Sequence, residues 1–162
     1  MDALALLLHQ LDTAYDHEAW HGPTLKGALR GVDEALASWR PAEDRHTIWE
    51  LAVHCAYWKY AVRRRIAGEK RGSFALEGAN WFRRPDGAAR WDAERKLLGA
   101  EHAALRAAVA GLEPAALSRT PEGSKHTLAQ LIAGIAAHDL YHAGQIQLMK
   151  RLAGEHALAA YQ

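Results

Sequence analysis

The run from Thr127 to Leu152, TLAQLIAGIAAHDLYHAGQIQLMKRL, constrains this chain more than any other stretch. It opens on Thr127-Leu128-Ala129-Gln130, a capping box in which the threonine and glutamine side chains satisfy each other's free backbone N–H groups. Read as a helix in heptads, Leu128, Ile135, His142 and Met149 form one inward row. Leu131, His138, Gln145 and Leu152 form the other. Two histidines and a glutamine therefore stand where a bundle places leucines. His138 and His142 are four residues apart, so their imidazoles share a face, with Cβ atoms about 6 Å apart. Neutral imidazoles so arranged suit a divalent transition metal. The alternative is a pair of core histidines, each satisfied by its own hydrogen bond.

The rest of the chain also reads as helix. Leu4, Leu7, Leu8, Leu11 and Tyr15 predict a first helix over 2–17, broken at Trp20-His21-Gly22-Pro23. A short helical piece over 24–31 follows, and Arg40-Pro41 closes that section. Thr47 and Glu50 form a second capping box. The helix it opens carries Leu51, Cys55, Trp58, Val62 and Ile66 inward and stops at Gly68. Residues 69–90 are the longest irregular stretch; a loop of that length is functional, mobile or a crossover. A further helix runs from Trp91 to about Leu112, with Leu98, Leu105, Val109 and Leu112 as its stripe. No strand pattern occurs. The expected fold is all-α: one domain over 1–162, a four-helix bundle with a long crossover between its second and third long helices.

A third ligand must come from another helix, and His54 is in position to supply it. In an antiparallel pairing His54 lies about 21 Å from the Gly68 end, while His138 and His142 lie about 16 and 22 Å from Thr127. The three then meet at one level. In a parallel pairing His54 would sit about 10 Å from its helix start and miss by one or two turns. Metal binding thus predicts that the second and last long helices run antiparallel.

The HxxxHAGQI segment at His138–Ile146 and the isolated His54 in Trp49-Glu50-Leu51-Ala52-Val53-His54 resemble the DinB/YfiT-like superfamily of metal-binding bundle proteins. The Trp20–Pro23 break and the tryptophan-bearing loop before the third long helix are similar too, so the likeness covers nearly the whole chain. It implies an up-down-down-up bundle and a homodimer. It also implies nickel or zinc held by His54, His138 and His142; three imidazoles by their own chemistry suit iron as well. Two activities come with the resemblance: thiol S-transfer with a low-molecular-weight thiol cosubstrate, and thiol-dependent isomerisation. Many members have no established reaction.

Three protein ligands with an open fourth position is the catalytic arrangement for zinc, which lowers the pKa of bound water or binds a thiolate. The expected function is therefore metal-dependent transfer or hydrolysis on a small molecule. The alternative is non-catalytic metal or small-ligand binding by a stress-related protein. Gln145, Glu101 and His102 are the further candidates, for orienting a ligand or serving as general base. Asp139 is a candidate support for His138. Cys55 reads as a small core residue, Trp49 and Trp58 as core, Trp81 as a pocket mouth, and His21 as part of the bend. His9, His17, His46, His126 and His156 read as surface or cap-flanking residues.

Twenty Lys and Arg against 19 Asp and Glu argue against a nucleic-acid partner. A single cysteine rules out an intrachain disulfide framework. The N-terminal run MDALALLLHQL lacks a basic segment before it, and no stretch is apolar enough to span a bilayer, so a cytoplasmic protein without membrane contact is expected. Helix 1 carries Leu4, Leu6, Leu7, Leu8 and Leu11 over more than one stripe, which points to burial against a second copy.

Overall fold

The structure is a computed structural model and describes residues 2–83 and 91–159. Among these, every regular element is helical. They are α1 (Ala3–Tyr15), α2 (Leu25–Ala28), α3 (Glu34–Ser38), α4 (Ile48–Ala67), α5 (Trp91–Ala110) and α6 (Leu128–Ala159), with a 3₁₀ turn at Pro114–Ser118 before α6. The starts follow from side-chain caps. Asp2, Thr24, Asp33 and Thr47 each accept a hydrogen bond from a backbone N–H three residues on. Both capping boxes form: Thr47 with Glu50, and Thr127 with Gln130. Gly68 ends α4 in the left-handed region at φ 72°, where a Cβ would be strained.

Three elements depart from the sequence reading. Helix α1 spans Ala3–Tyr15, shorter than 2–17, because Asp2 caps it outside the helix. The piece expected over 24–31 contracts to α2, and α3, capped by Asp33, was not foreseen; five residues carry too little periodicity to be read. Of the long loop, residues 84–90 with Pro85 lie outside the described residues. The rest packs onto α4: Phe82 is in the core, and the Tyr60 hydroxyl accepts the backbone N–H groups of Gly72 and Ser73.

Two apolar clusters order the long helices. One joins Leu7 and Leu11 of α1 to Val62 and Ile66 near the end of α4. It also takes Leu105 and Val109 near the end of α5, and Leu128, Ile132 and Ile135 at the start of α6. The other joins Tyr15 at the end of α1 to Ile48, Trp49 and Val53 at the start of α4. Trp91 and Leu98 of α5 belong to it, as do Ala143, Ile146 and Met149 further along α6. The start of α4 therefore lies with the start of α5 and against the later turns of α6.

The heptad reading of α6 is half right. Leu128, Ile135, His142 and Met149 are buried, but the row of Leu131, His138 and Gln145 is half-buried and Leu152 is 39% exposed. The second inward row is Ile132, Asp139 and Ile146. The cause is the width and position of the buried stripe. From Leu128 the buried stripe steps i, i+4, i+7, so its second row lies one residue, about 100°, beyond the i+3 row that an a/d seam assumes.

Candidate metal centre

Each histidine of the expected trio is placed by a well-started helix. His54 lies two turns into α4, and His138 and His142 lie on the middle turns of α6. The Nε2 atoms of His54 and His142 each lie 3.1 Å from Nε2 of His138. One metal-binding atom from each residue falls within 4.8 Å of the others. Helices α4 and α6 run antiparallel at this point. His54 meets His138 and His142, Lys59 meets Asp139, and the carbonyl of Ile66 accepts from Arg119, just before α6. The matching of levels argued from helical rise is therefore what the backbone provides.

The outer ring nitrogens decide what the inner ones present. Nδ1 of His54 lies 2.8 Å from the backbone carbonyl of Asn80, which can only accept, so this nitrogen carries the proton. Nδ1 of His142 lies 2.6 Å from the Gln145 amide oxygen, with the same consequence. Both Nε2 atoms are then unprotonated, and their lone pairs converge on the third imidazole. One Nε2–H on His138 could serve one of them well, but not both. His138 Nδ1 itself is buried without a partner. Burial, offset by the Asn80 hydrogen bond and reinforced by His142, pushes the pKa of His54 down to about 4. Burial and the two neighbouring histidines push His138 down to about 3, and burial lowers His142 as well. At neutral pH the cluster is three neutral imidazoles facing inward. A tetrahedral zinc with Zn–N of 2.0–2.1 Å would hold nitrogens about 3.3–3.4 Å apart, close to the spacing here. The donor set fits a divalent transition metal.

The loop before α5 completes the surroundings. Asn80 adopts φ 66°, in the left-handed region, and this aims its carbonyl at His54 while its side-chain oxygen accepts from the Trp58 indole N–H. Trp81 stacks on His54, ring centroids 3.8 Å apart, and His46 stacks on the other face of Trp81 at 3.6 Å. His46 is thus tied to the site through a ring stack as well as flanking the helix cap, where it also contacts Glu50. Beside His138 a cleft of about 300 Å³ opens between Trp58, Val62, Leu131 and Ile135, with Arg65 and Gln130 at its far end.

Behind the histidines lies an ion pair that the sequence reading missed. Lys59 and Asp139 are both 0% exposed, and the ammonium donates to one carboxylate oxygen while the other, Oδ1, has no partner. Burial pushes the Asp139 carboxyl up and Lys59 pulls it back. Cys55 is fully buried beside this pair, and burial raises its thiol. It is the small core residue expected. A lysine at i+4 from Cys55 and i−3 from Val62 was the signal for an inward cation. An asparagine in a glycine-bearing loop was the signal for a left-handed turn.

Gln145 reaches the cluster through His142. The structure does not bring Glu101 or His102 to it. Glu101 accepts from Arg63. His102 is buried, stacks on Tyr15 at 3.7 Å, and lines a separate cavity between the α2 segment and α5. His21 is exposed beside Trp20 at the bend. The His156 side chain lies outside the described residues.

No helix among the described residues is long and apolar enough to cross a membrane. No curated protein and no solved structure matches the chain. The family profile of the DinB superfamily matches it over residues 18–146, a span that contains all three histidines.

Proposed function

The chain belongs to the DinB superfamily, and on that premise we propose that His54, His138 and His142 hold a divalent transition metal with a coordination position left open for a small-molecule substrate. The observation that carries this is the approach of the His54 and His142 Nε2 atoms to within 3.1 Å of His138 Nε2 while two of the outer nitrogens are committed to carbonyl oxygens. Nickel and zinc are the ions we favour, with iron as a third; imidazoles suit all three. The ion, when bound, supplies Lewis acidity and a depressed pKa for a bound water or thiol. The chain's own residues do the rest. Asn80 and Gln145 fix the ring orientation of two ligands, Trp81 covers one face of His54, and the cleft beside His138 admits an apolar group.

We assign the chemistry to thiol-dependent S-transfer or hydrolysis on a small molecule, with a low-molecular-weight thiol as cosubstrate in the first case. Non-catalytic metal binding by a stress-related protein would call for a sealed ion with a fourth protein ligand. Among the described residues Cys55 and Asp139 group with His138 but not with His54 and His142, so no fourth ligand atom lies within 4.8 Å of all three, and the cleft lies open beside the trio. The two core clusters support an up-down-down-up four-helix path in one domain, crossing over between α4 and α5. Exposed Leu6, Trp20 and Leu148 support a homodimer.

The test is metal content of protein purified without a histidine tag, for the wild type and for His54→Ala, His138→Ala and His142→Ala. The wild type is expected to hold one ion per chain, and each variant to lose it in competition with a chelator. A variant that keeps wild-type affinity removes that histidine from the ligand set.

A further inference from the structure

The cleft beside His138 does not end at its rim. Trp58 and Arg65 line it, and both also line a second cavity of about 390 Å³ between α4 and the loop, to which Arg64 and Arg71 contribute as well. The two cavities share Trp58 and Arg65 as walls, with His138 at one end and the guanidinium groups of Arg64, Arg65 and Arg71 at the other.

No ion pair among the described residues neutralises those arginines. Arg63, the preceding residue, is engaged by Glu69 and Glu101. Arg64 reaches only a backbone carbonyl, that of Glu69, and its Nε is buried without a partner. Arg65 and Arg71 make no ion pair with any described residue. Among the described residues lining the second cavity, Glu77 is the one carboxylate against three arginines. Burial, then Arg64 and Arg71, hold the pKa of Arg65 below its ordinary value, as expected where like charges crowd a partly dehydrated space. The loop is pinned there. Tyr60 accepts from Gly72 and Ser73, which fixes the backbone next to Arg71, and Gly72 at φ 117° occupies a conformation open to glycine.

A concentration of unpaired guanidinium groups in a concave site calls for an anion, which arginine binds through paired N–H donors. Between the ends, Trp58, Val62, Leu131 and Ile135 offer an apolar wall. Arg65 lies opposite Gln130 and Leu131, which are seven to eight residues from His138 on α6, so the two ends are about 11–12 Å apart along the helix.

We propose that the arginine cavity is an anion subsite, and that the ligand of the metal centre is an elongated amphipathic molecule with a metal-binding group at one end and a carboxylate or phosphate at the other. Arg65 is its main recognition residue, because it lines both cavities. This rests on the three-histidine reading, and the experiment keeps the two apart.

Cobalt-loaded protein is titrated with ω-mercaptoundecanoate and, separately, with ω-mercaptoundecanol, following thiolate-to-cobalt absorption. The carboxylate is expected to bind at least about tenfold more tightly than the alcohol, as a charge-assisted contact implies. Arg65→Gln should reduce that ratio to under about twofold with cobalt content unchanged, and Arg65→Lys should retain part of it. Equal binding of the two thiols by the wild type, or a ratio that survives Arg65→Gln, overturns the proposal. If the protein takes up no cobalt, the metal reading has failed. The subsite is then read by calorimetry of decanoate against decanol on metal-free protein, where equal affinities overturn it too.

Discussion

Lys59→Met removes one charge from the buried pair behind the histidines while keeping side-chain length. It leaves Asp139, 0% exposed, with no cation for one oxygen and no partner for the other. Breaking a buried pair from one side costs about 3–5 kcal/mol. The carboxylate can escape by taking up a proton, which at pH 7 costs about 4 kcal/mol against an ordinary aspartate. That escape limits the charge penalty, so a loss of about 3–4 kcal/mol is expected. In a domain of this size each kcal/mol shifts Tm by about 2–4 °C, giving a fall of about 6–16 °C. The second variant, Lys59→Met with Asp139→Leu, replaces the pair by apolar groups. It should return to within about 1 kcal/mol of wild type, since a well-packed apolar substitute is often neutral or better. The assay is urea unfolding followed by circular dichroism, with chelator present so that metal binding adds nothing to the native state. A single variant that loses less than about 1 kcal/mol, or a double variant as unstable as the single, would refute the reasoning.

Other outcomes follow from the same geometry. Gln145→Leu removes the acceptor that orients His142 and should weaken metal affinity about 10–100-fold without loss of fold, read by chelator competition; unchanged affinity would make Gln145 a plain core amide. Chelation should lower the melting temperature while leaving helical circular dichroism at 25 °C intact, because caps and apolar clusters persist without the ion; an unshifted melt would mean the protein alone satisfies the three imidazoles. His102, buried against Tyr15 and away from the trio, has a pKa pushed from 6.5 down to about 3, by burial first and then by Lys59. The unfolded chain therefore takes up a proton there that the native state refuses, so stability is lost as pH falls from about 6.5 towards 3, at up to about 1.4 kcal/mol per pH unit. His102→Phe, which keeps the ring stack, should flatten unfolding curves measured between pH 6.5 and 4; an unchanged slope would contradict the shift.

What could be read from the sequence was what repeats or what a cap announces. Thr47 with Glu50 and Thr127 with Gln130 marked helix starts to the residue, because a side chain three positions on must answer the cap. His54, His138 and His142 could be brought together by spacing and rise alone, since a helix converts residue number into distance. The second inward row of α6 was misassigned by one residue, because Leu131, His138 and Leu152 mimic an a/d seam while the buried stripe runs through Ile132, Asp139 and Ile146; Asp139, read as support for His138, pairs with Lys59 in the core. The Lys59–Asp139 pair joins residues 80 positions apart, and no local pattern announces such a partner. Trp81 was read as a pocket mouth, but its stack on His54 and the carbonyl that Asn80 aims at that ring were out of reach for a similar reason. What they do depends on how an irregular loop lies across α4, and that is set by packing and not by periodicity.

The hydrogen bond that orients His54 comes from a main-chain oxygen, so the chemistry at position 80 does not reside in its side chain. What that position must supply is a backbone in the left-handed region, which asparagine, aspartate and glycine enter at little cost and β-branched residues resist. Substitution there is screened by conformation: Asn80→Gly can keep the carbonyl in place while giving up only the contact to Trp58, whereas Asn80→Val would swing the carbonyl away and release the imidazole without touching any histidine.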